Sequence, residues 1–205
     1  MRIGLVPISA KPYHAGHHAL VSRAAGDNDL VMLFVSTSDR MRKGELPVLG
    51  SDMLRIWKEY LEPIMPSNVD IYYGGTPVQK VYGTLQAAEE MLPDDIYVIY
   101  SDPVDTAQNY PVCNRIKYFP ELYKTGKVVC AAEEDPSAFT RGVGTPNVSG
   151  TAMRNAISTG DFKTFSAGMP PGVDARAIFN ILQSTDQSTN ESLLRAYVRD
   201  FILSR

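Results

Sequence analysis

The chain has 205 residues, 20 Lys and Arg against 23 Asp and Glu, and a formal net charge of −3. That is enough chain for one domain with a real core. The slight negative balance argues against general attraction to nucleic acid or to membrane surfaces.

The predicted elements alternate between short apolar runs and helical patterns. Residues 3–7 (IGLVP) read as a first strand, with no cleavage signature of a signal peptide. A helix is predicted over 16–25. Residues 30–36 (LVMLFVS) are nearly all apolar, as in a strand buried on both faces. A helix over 51–62 carries Trp57, whose spacing with Met53, Leu54 and Leu61 points to core packing rather than base stacking. A third strand is predicted at 69–73 (VDIYY), then a helix over 78–91 and a fourth strand at 96–100 (IYVIY). Helical pieces fall within 106–124, and a fifth strand is predicted at 127–132 (KVVCAA).

Residues 103–148 are punctuated by proline and glycine and read as loops and short helices. The end of the chain is helical again, over 174–183 and 191–205. Leu193, Leu194, Tyr197, Phe201 and Ile202 recur there at helical spacing, a face suited to its own domain or to a second copy in a homo-oligomer.

This order predicts an α/β fold: a Rossmann-like, doubly wound parallel sheet of about five strands, with helices on both faces and a helical C-terminal extension. The expected division is a main domain over 1–172 and the extension over 173–205. The two cysteines make neither a disulfide framework nor a CxxC knuckle, and Cys130 reads as a free core residue. No stretch approaches a membrane span. The expected compartment is the cytoplasm.

In such a sheet, ligands bind beyond the carboxyl ends of the strands. The chemistry-bearing residues sit there. All three histidines of the chain, His14, His17 and His18, fall within five positions of KPYHAGHHAL, just after the first strand. Gly16 opens the backbone to close approach. A helix start offers unpaired amides and positive partial charge, which suit phosphate, and imidazoles add donors. A phosphate cradle is therefore the leading reading. Zinc is the competitor, but it would need ligands from elsewhere.

A second candidate is NVSGTAMRNAI, residues 147–157. Ser149, Gly150, Thr151 and Arg154 combine hydroxyls, amides and a guanidinium one turn on, a second anion site. Ser149 alone would also be an ordinary helix cap. After the second predicted strand, Arg40, Arg42 and Lys43 form a basic loop, read as a clamp on a phosphate or as a solvated surface. Ser101 and Asp102 follow the fourth strand, where Asp102 would hold a ribose hydroxyl or cap a turn.

The stretch ISAKPYHAGHHALV resembles the HxGH signature of the nucleotidyltransferase superfamily, most closely that of nicotinamide-nucleotide adenylyltransferases. SGTAMR is similar to that family's ISSTxxR or SGTxxR motif, and Ser101-Asp102 to its Gly-x-Asp. The match departs at Ile8, Ser9, Ala10 and Lys11; the family's loop glycine and arginine are missing at Ile8 and Ser9, which leaves Lys11 as the candidate to replace that arginine. The resemblance spans roughly 1–170. It implies that His14 and His17 contact the phosphates of ATP and stabilise charge at the α-phosphate. It implies that Ser149, Thr151 and Arg154 hold the β- and γ-phosphates, with Ser9, Ala10, Lys11, Gly16 and Gly150 in the same cradle.

The implied reaction is transfer of AMP from ATP to a phosphorylated small-molecule acceptor. Nicotinamide mononucleotide leads, pyrophosphate leaves, and magnesium accompanies ATP. Phosphopantetheine or flavin adenylylation, cytidylyl transfer and a non-catalytic nucleotide-binding regulator are the alternatives. No protein metal ligand, nucleic-acid partner or membrane is expected.

Overall fold

The computed structural model describes residues 1–91 and 94–184. The predicted helix over 191–205, with its apolar face, lies outside the described residues. Five strands form one parallel sheet: β1 (Arg2–Ile8), β2 (Leu30–Val35), β3 (Val69–Tyr73), β4 (Ile96–Ile99) and β5 (Val128–Cys130), in the order β3-β2-β1-β4-β5. The fold is the Rossmann-like α/β arrangement expected. β1 is central, paired with β2 through Ile3–Ile8 and with β4 through Arg2–Leu5. The chain winds outward on one side through β2 and β3, then crosses to β4. The strand order therefore reverses between β1 and β4, the place where open α/β sheets bind ligands.

Alternation along the strands divides the core into two layers. Val6, Ile8, Val31, Leu33 and Val35 point to one face. Ile3, Leu5, Phe34, Tyr97 and Ile99 point to the other. The first face is covered by α1 (Ala15–Asp27), α2 (Gly50–Ile56) and, further along the chain, by helices at Gly150–Ser158 and Phe162–Ala167. The second is covered by α3 (Pro77–Met91) and by the segment Pro120–Lys124. Burial on both faces explains why β1 and β2 read as near-continuous apolar runs.

Three short helices follow β4: α4 (Pro103–Asn109), α5 (Val112–Tyr118) and α6 (Pro120–Lys124). After β5 come α7 (Ala131–Glu134), α8 (Pro136–Phe139), α9 (Gly150–Ser158) and α10 (Phe162–Ala167). The predicted fifth strand is too long by two residues at its end. Ala131 and Ala132 are apolar and buried, but in the first turn of α7. Apolarity alone does not separate a buried strand end from a buried helix start.

The predicted helix over 51–62 is also divided. α2 passes into a wider π-type turn over Trp57–Leu61 and a 3₁₀ turn over Glu62–Ile64. Trp57 is fully buried, with its ring 4.9 Å from Tyr13 and 6.3 Å from Tyr73, so it is a core residue. Cys130 is buried and Cys113 exposed, and both are free thiols. Residues 175–184 are helical, and their Ile178, Phe179 and Leu182 belong to the main core. Phe179 packs edge-on against Phe162 and Phe165. No helix among the described residues is long and apolar enough to cross a membrane.

Candidate functional site

The loops after β1, β2 and β4 and the N-terminus of α9 surround a cleft at the strand carboxyl ends. It has two adjoining lobes. The larger, ≈ 590 Å³, is mainly apolar, with Leu20, Pro77, Val78 and Phe139 in its wall. The smaller, ≈ 450 Å³, is polar and is lined by Lys11, Arg40, Arg42, Gly150 and Arg154. Ser9, His14, His17, Asp102, Asp105 and Arg141 line both.

His14 is the N-cap residue of α1, yet its side chain makes no cap bond. Its ring instead folds back over Gly16. A Cβ at position 16 would lie 3.1 Å from the ring's Cε1 and Nδ1. The imidazoles of His14 and His17 stack with centroids 3.8 Å apart, and Tyr13 continues the column 5.6 Å beyond His17. Burial pushes the His14 imidazole down to about 4, with the nearby Arg141 charge adding to the effect. His17 is held well below its ordinary value by burial, then by His14 and Arg141. Both rings are therefore neutral near pH 7. His18 does not line either lobe; its Nδ1 faces the Tyr13 hydroxyl at 3.2 Å.

The amide of Ala15 is already used, donating to the carbonyl of Gly168 at 2.8 Å. The next first-turn amides, of Gly16 and His17, have no intrahelical acceptor. Ala10 sits at φ 48°, a left-handed conformation that is rare for a residue with a side chain. Lys11 is buried, and its ammonium bonds the Ser38 hydroxyl at 2.9 Å, the Ser36 hydroxyl at 3.3 Å and the Ser38 carbonyl. Burial lowers its pKa, and Arg40 adds to that, against the opposing pull of Asp39. Lys11 thus braces the β2 loop; direct phosphate contact would require it to exchange partners.

The second motif meets the first through Arg154. Its Nη1 donates to the Lys11 carbonyl at 2.9 Å, and its Nη2 donates to Thr151 Oγ1 at 2.9 Å. Nη2 is also 3.0 Å from Glu45 Oε2. Glu45 in turn accepts from Arg40 Nη2 and Nε at 2.7 and 3.1 Å. The guanidinium passes beneath Gly150, where a Cβ would lie 3.1 Å from Nη1. Ser149 caps α9 by accepting from the Ala152 amide at 3.1 Å.

Most expected residues converge here. Ser9, Ala10, Lys11, Gly150, Arg154, Arg40 and Arg42 line the polar lobe. Gly16 and Ser101 line the apolar lobe, and His14, His17 and Asp102 line both. Ser149 and Thr151 line neither lobe: one is a cap, the other holds Arg154. Lys43 is exposed and lines neither. Ser101 shares a 2.7 Å bond with Thr106, and Asp102 caps α4 by accepting from the Asp105 amide at 2.8 Å.

Neither a family model nor a curated protein matches the chain.

Sequence reasoning missed three residues. Glu45 was hidden as one acid in a basic loop. Asp105 lies one turn beyond Asp102, and burial raises its pKa, with Asp102 adding to the shift. Arg141 stands in a glycine-rich stretch (TRGVGT), which was the available signal. Among the described residues, buried side-chain polar atoms without a partner are His14 Nδ1, His17 Nδ1 and Arg154 Nε on cleft-lining residues, and Asn28 Oδ1, Trp57 Nε1 and Tyr110 Oη away from the cleft.

No group of three His, Cys, Asp or Glu among the described residues could hold a metal by itself. Asp102 and Asp105 still offer carboxylates where the lobes meet. That donor set fits magnesium, which keeps waters and takes further oxygens from phosphates.

Proposed function

We propose that the chain is a nucleotidyltransferase that transfers AMP from ATP to a phosphate-bearing small molecule, with nicotinamide mononucleotide as the first-choice acceptor. One observation carries this reading: the HxGH and SGTxxR stretches, 143 residues apart along the chain at Lys11 and Arg154, close around one polar lobe. That lobe combines cations, first-turn amides and neutral imidazoles, the groups a triphosphate needs. The adjoining apolar lobe suits a base or pyridine ring.

The acceptor's phosphate oxygen attacks the α-phosphorus of ATP. A P–O bond forms there as the bond from the α-phosphorus to the bridging oxygen breaks, and pyrophosphate leaves with the electron pair. The nucleophile is already an anion, so no side chain has to remove a proton. Catalysis is then positioning and charge stabilisation. His14 and His17 donate to phosphate oxygens while neutral, and so do not depend on protonation near pH 7. Arg154 holds the leaving phosphates in place of Glu45. Asp102 and Asp105 would hold magnesium, whose chemistry is to neutralise triphosphate charge.

The test is pyrophosphate release from ATP or CTP across a panel of nicotinamide mononucleotide, phosphopantetheine, flavin mononucleotide and polyol phosphates. The expected result is release that needs both ATP and one acceptor, and that EDTA abolishes and magnesium restores. ATP binding without release would instead indicate a nucleotide-binding regulator. Zinc-dependent hydrolysis without an acceptor would indicate a metal hydrolase.

A further inference from the structure

Arg154 lies deep in the polar lobe and is only 5 % exposed, with partners on Lys11, Thr151 and Glu45. Arg141 is placed differently. It is exposed and lines both lobes, as the two imidazoles do. Its guanidinium has no hydrogen-bond or ion-pair partner among the described residues. An arginine without a partner beside two stacked histidines is a cation available to a ligand.

The turn that carries it is built rather than loose. The Gly142 amide donates to Thr145 O at 2.8 Å, and the amides of Val143 and Gly144 donate to Thr140 O, each at 3.1 Å. Gly142 has φ 77°, and a Cβ at Gly144 would run into the backbone of Ala138 at 2.3 Å. Just before the turn, Phe139 is buried, and the Arg23 guanidinium lies 5.1 Å from its ring centroid. Arg23 is also 3.6 Å from Asp135, so α8 is tied to α1 at the residue that precedes the helix. The segment that aims Arg141 is thus fixed to the helix that carries His17.

Building on the nucleotidyltransferase reading, we infer that Arg141 is a catalytic residue. It contacts the non-bridging oxygens of the phosphorus under attack and stabilises the charge that shifts there as one P–O bond forms and the other breaks. Its position at the junction of the lobes is where a triphosphate in one lobe and an acceptor in the other must meet. Pyrophosphate leaves with its electron pair, and no proton passes through Arg141.

The experiment compares wild type, R141A and R141K in steady-state pyrophosphate release with ATP and nicotinamide mononucleotide. The three histidines are also titrated by NMR. Loss of one donor to developing charge lowers kcat by about 10²–10³-fold, with a smaller change in KM. R141K should recover part of the loss, because lysine keeps the charge without the fork. In R141A the titrations of His14 and His17 should move toward the ordinary histidine value. A wild-type enzyme that is active while R141A keeps kcat within threefold overturns this inference alone. So does an R141A loss confined to KM. A wild-type chain that binds ATP but releases no pyrophosphate with any acceptor overturns both this inference and the reading it rests on.

Discussion

Gly16 and Gly150 serve the two motifs in the same way: each gives space to the functional side chain of its own motif. His14 lies over the first and Arg154 over the second, both 3.1 Å from where a Cβ would be. Substitution to alanine should therefore separate stability from function. In G16A, helix propensity favours alanine by up to about 1 kcal/mol, so the thermal midpoint should hold or rise. The His14 ring must tilt, however, and turnover should fall at least tenfold, since small displacements of positioned groups are costly. Paired calorimetry and initial rates would check this, and unchanged turnover would mean that the tilt of His14 does not matter.

Arg154 joins the two motifs, so it should count in both stability and activity. R154A leaves the Lys11 carbonyl without its guanidinium donor and Glu45 paired with Arg40 alone. The expected cost is about 1–3 kcal/mol in urea unfolding, with loss of turnover. R154K should rescue neither in full, because lysine cannot reach Lys11, Thr151 and Glu45 together from one planar fork.

Glu45 bonds Arg40 and Arg154, the cations that the proposed function assigns to a triphosphate. In E45Q the competing charge is gone, so KM for ATP should fall several-fold with kcat changed less than twofold. Initial-rate kinetics would decide. A rise in KM would show instead that Glu45 holds Arg154 in position for its ligand.

The neutral histidines set a pH dependence of stability. His14 titrates at about 4 in the folded chain, below its unfolded value of 6.5. Between those two values the unfolded chain binds the extra proton, so stability falls as pH drops through that window and is fully present above it. The His14 contribution is about 3 kcal/mol across the whole window, and His17 acts in the same direction. Urea midpoints at pH 7.5 and pH 5 should differ accordingly. H14A should flatten the difference.

Local pattern was enough for much of the fold. The apolar runs marked all five strands, and β3 matches its predicted range, Val69–Tyr73. Where burial is equally strong in helix and strand, as at Ala131 and Ala132, pattern lost its power to discriminate. Trp57 was legible as core because its neighbours at helical spacing were apolar. The wider turn at Trp57–Leu61 was not legible, since its aromatic partners Tyr13 and Tyr73 come from distant parts of the chain.

The sequence by itself determined the residue types of the site, the order of the two motifs and their positions after strands. Only tertiary structure decided which partners each side chain has there. Lys11, read as a phosphate cation, is spent on Ser36 and Ser38. Ser149 caps α9, and Thr151 Oγ1 accepts from Arg154. Glu45 and Arg141 gain their meaning only because folding sets one against Arg154 and the other near the histidines. The physical reason is that these contacts join residues far apart along the chain: hydrogen bonds and charge act over a few ångströms in space, whereas pattern is read only along the chain.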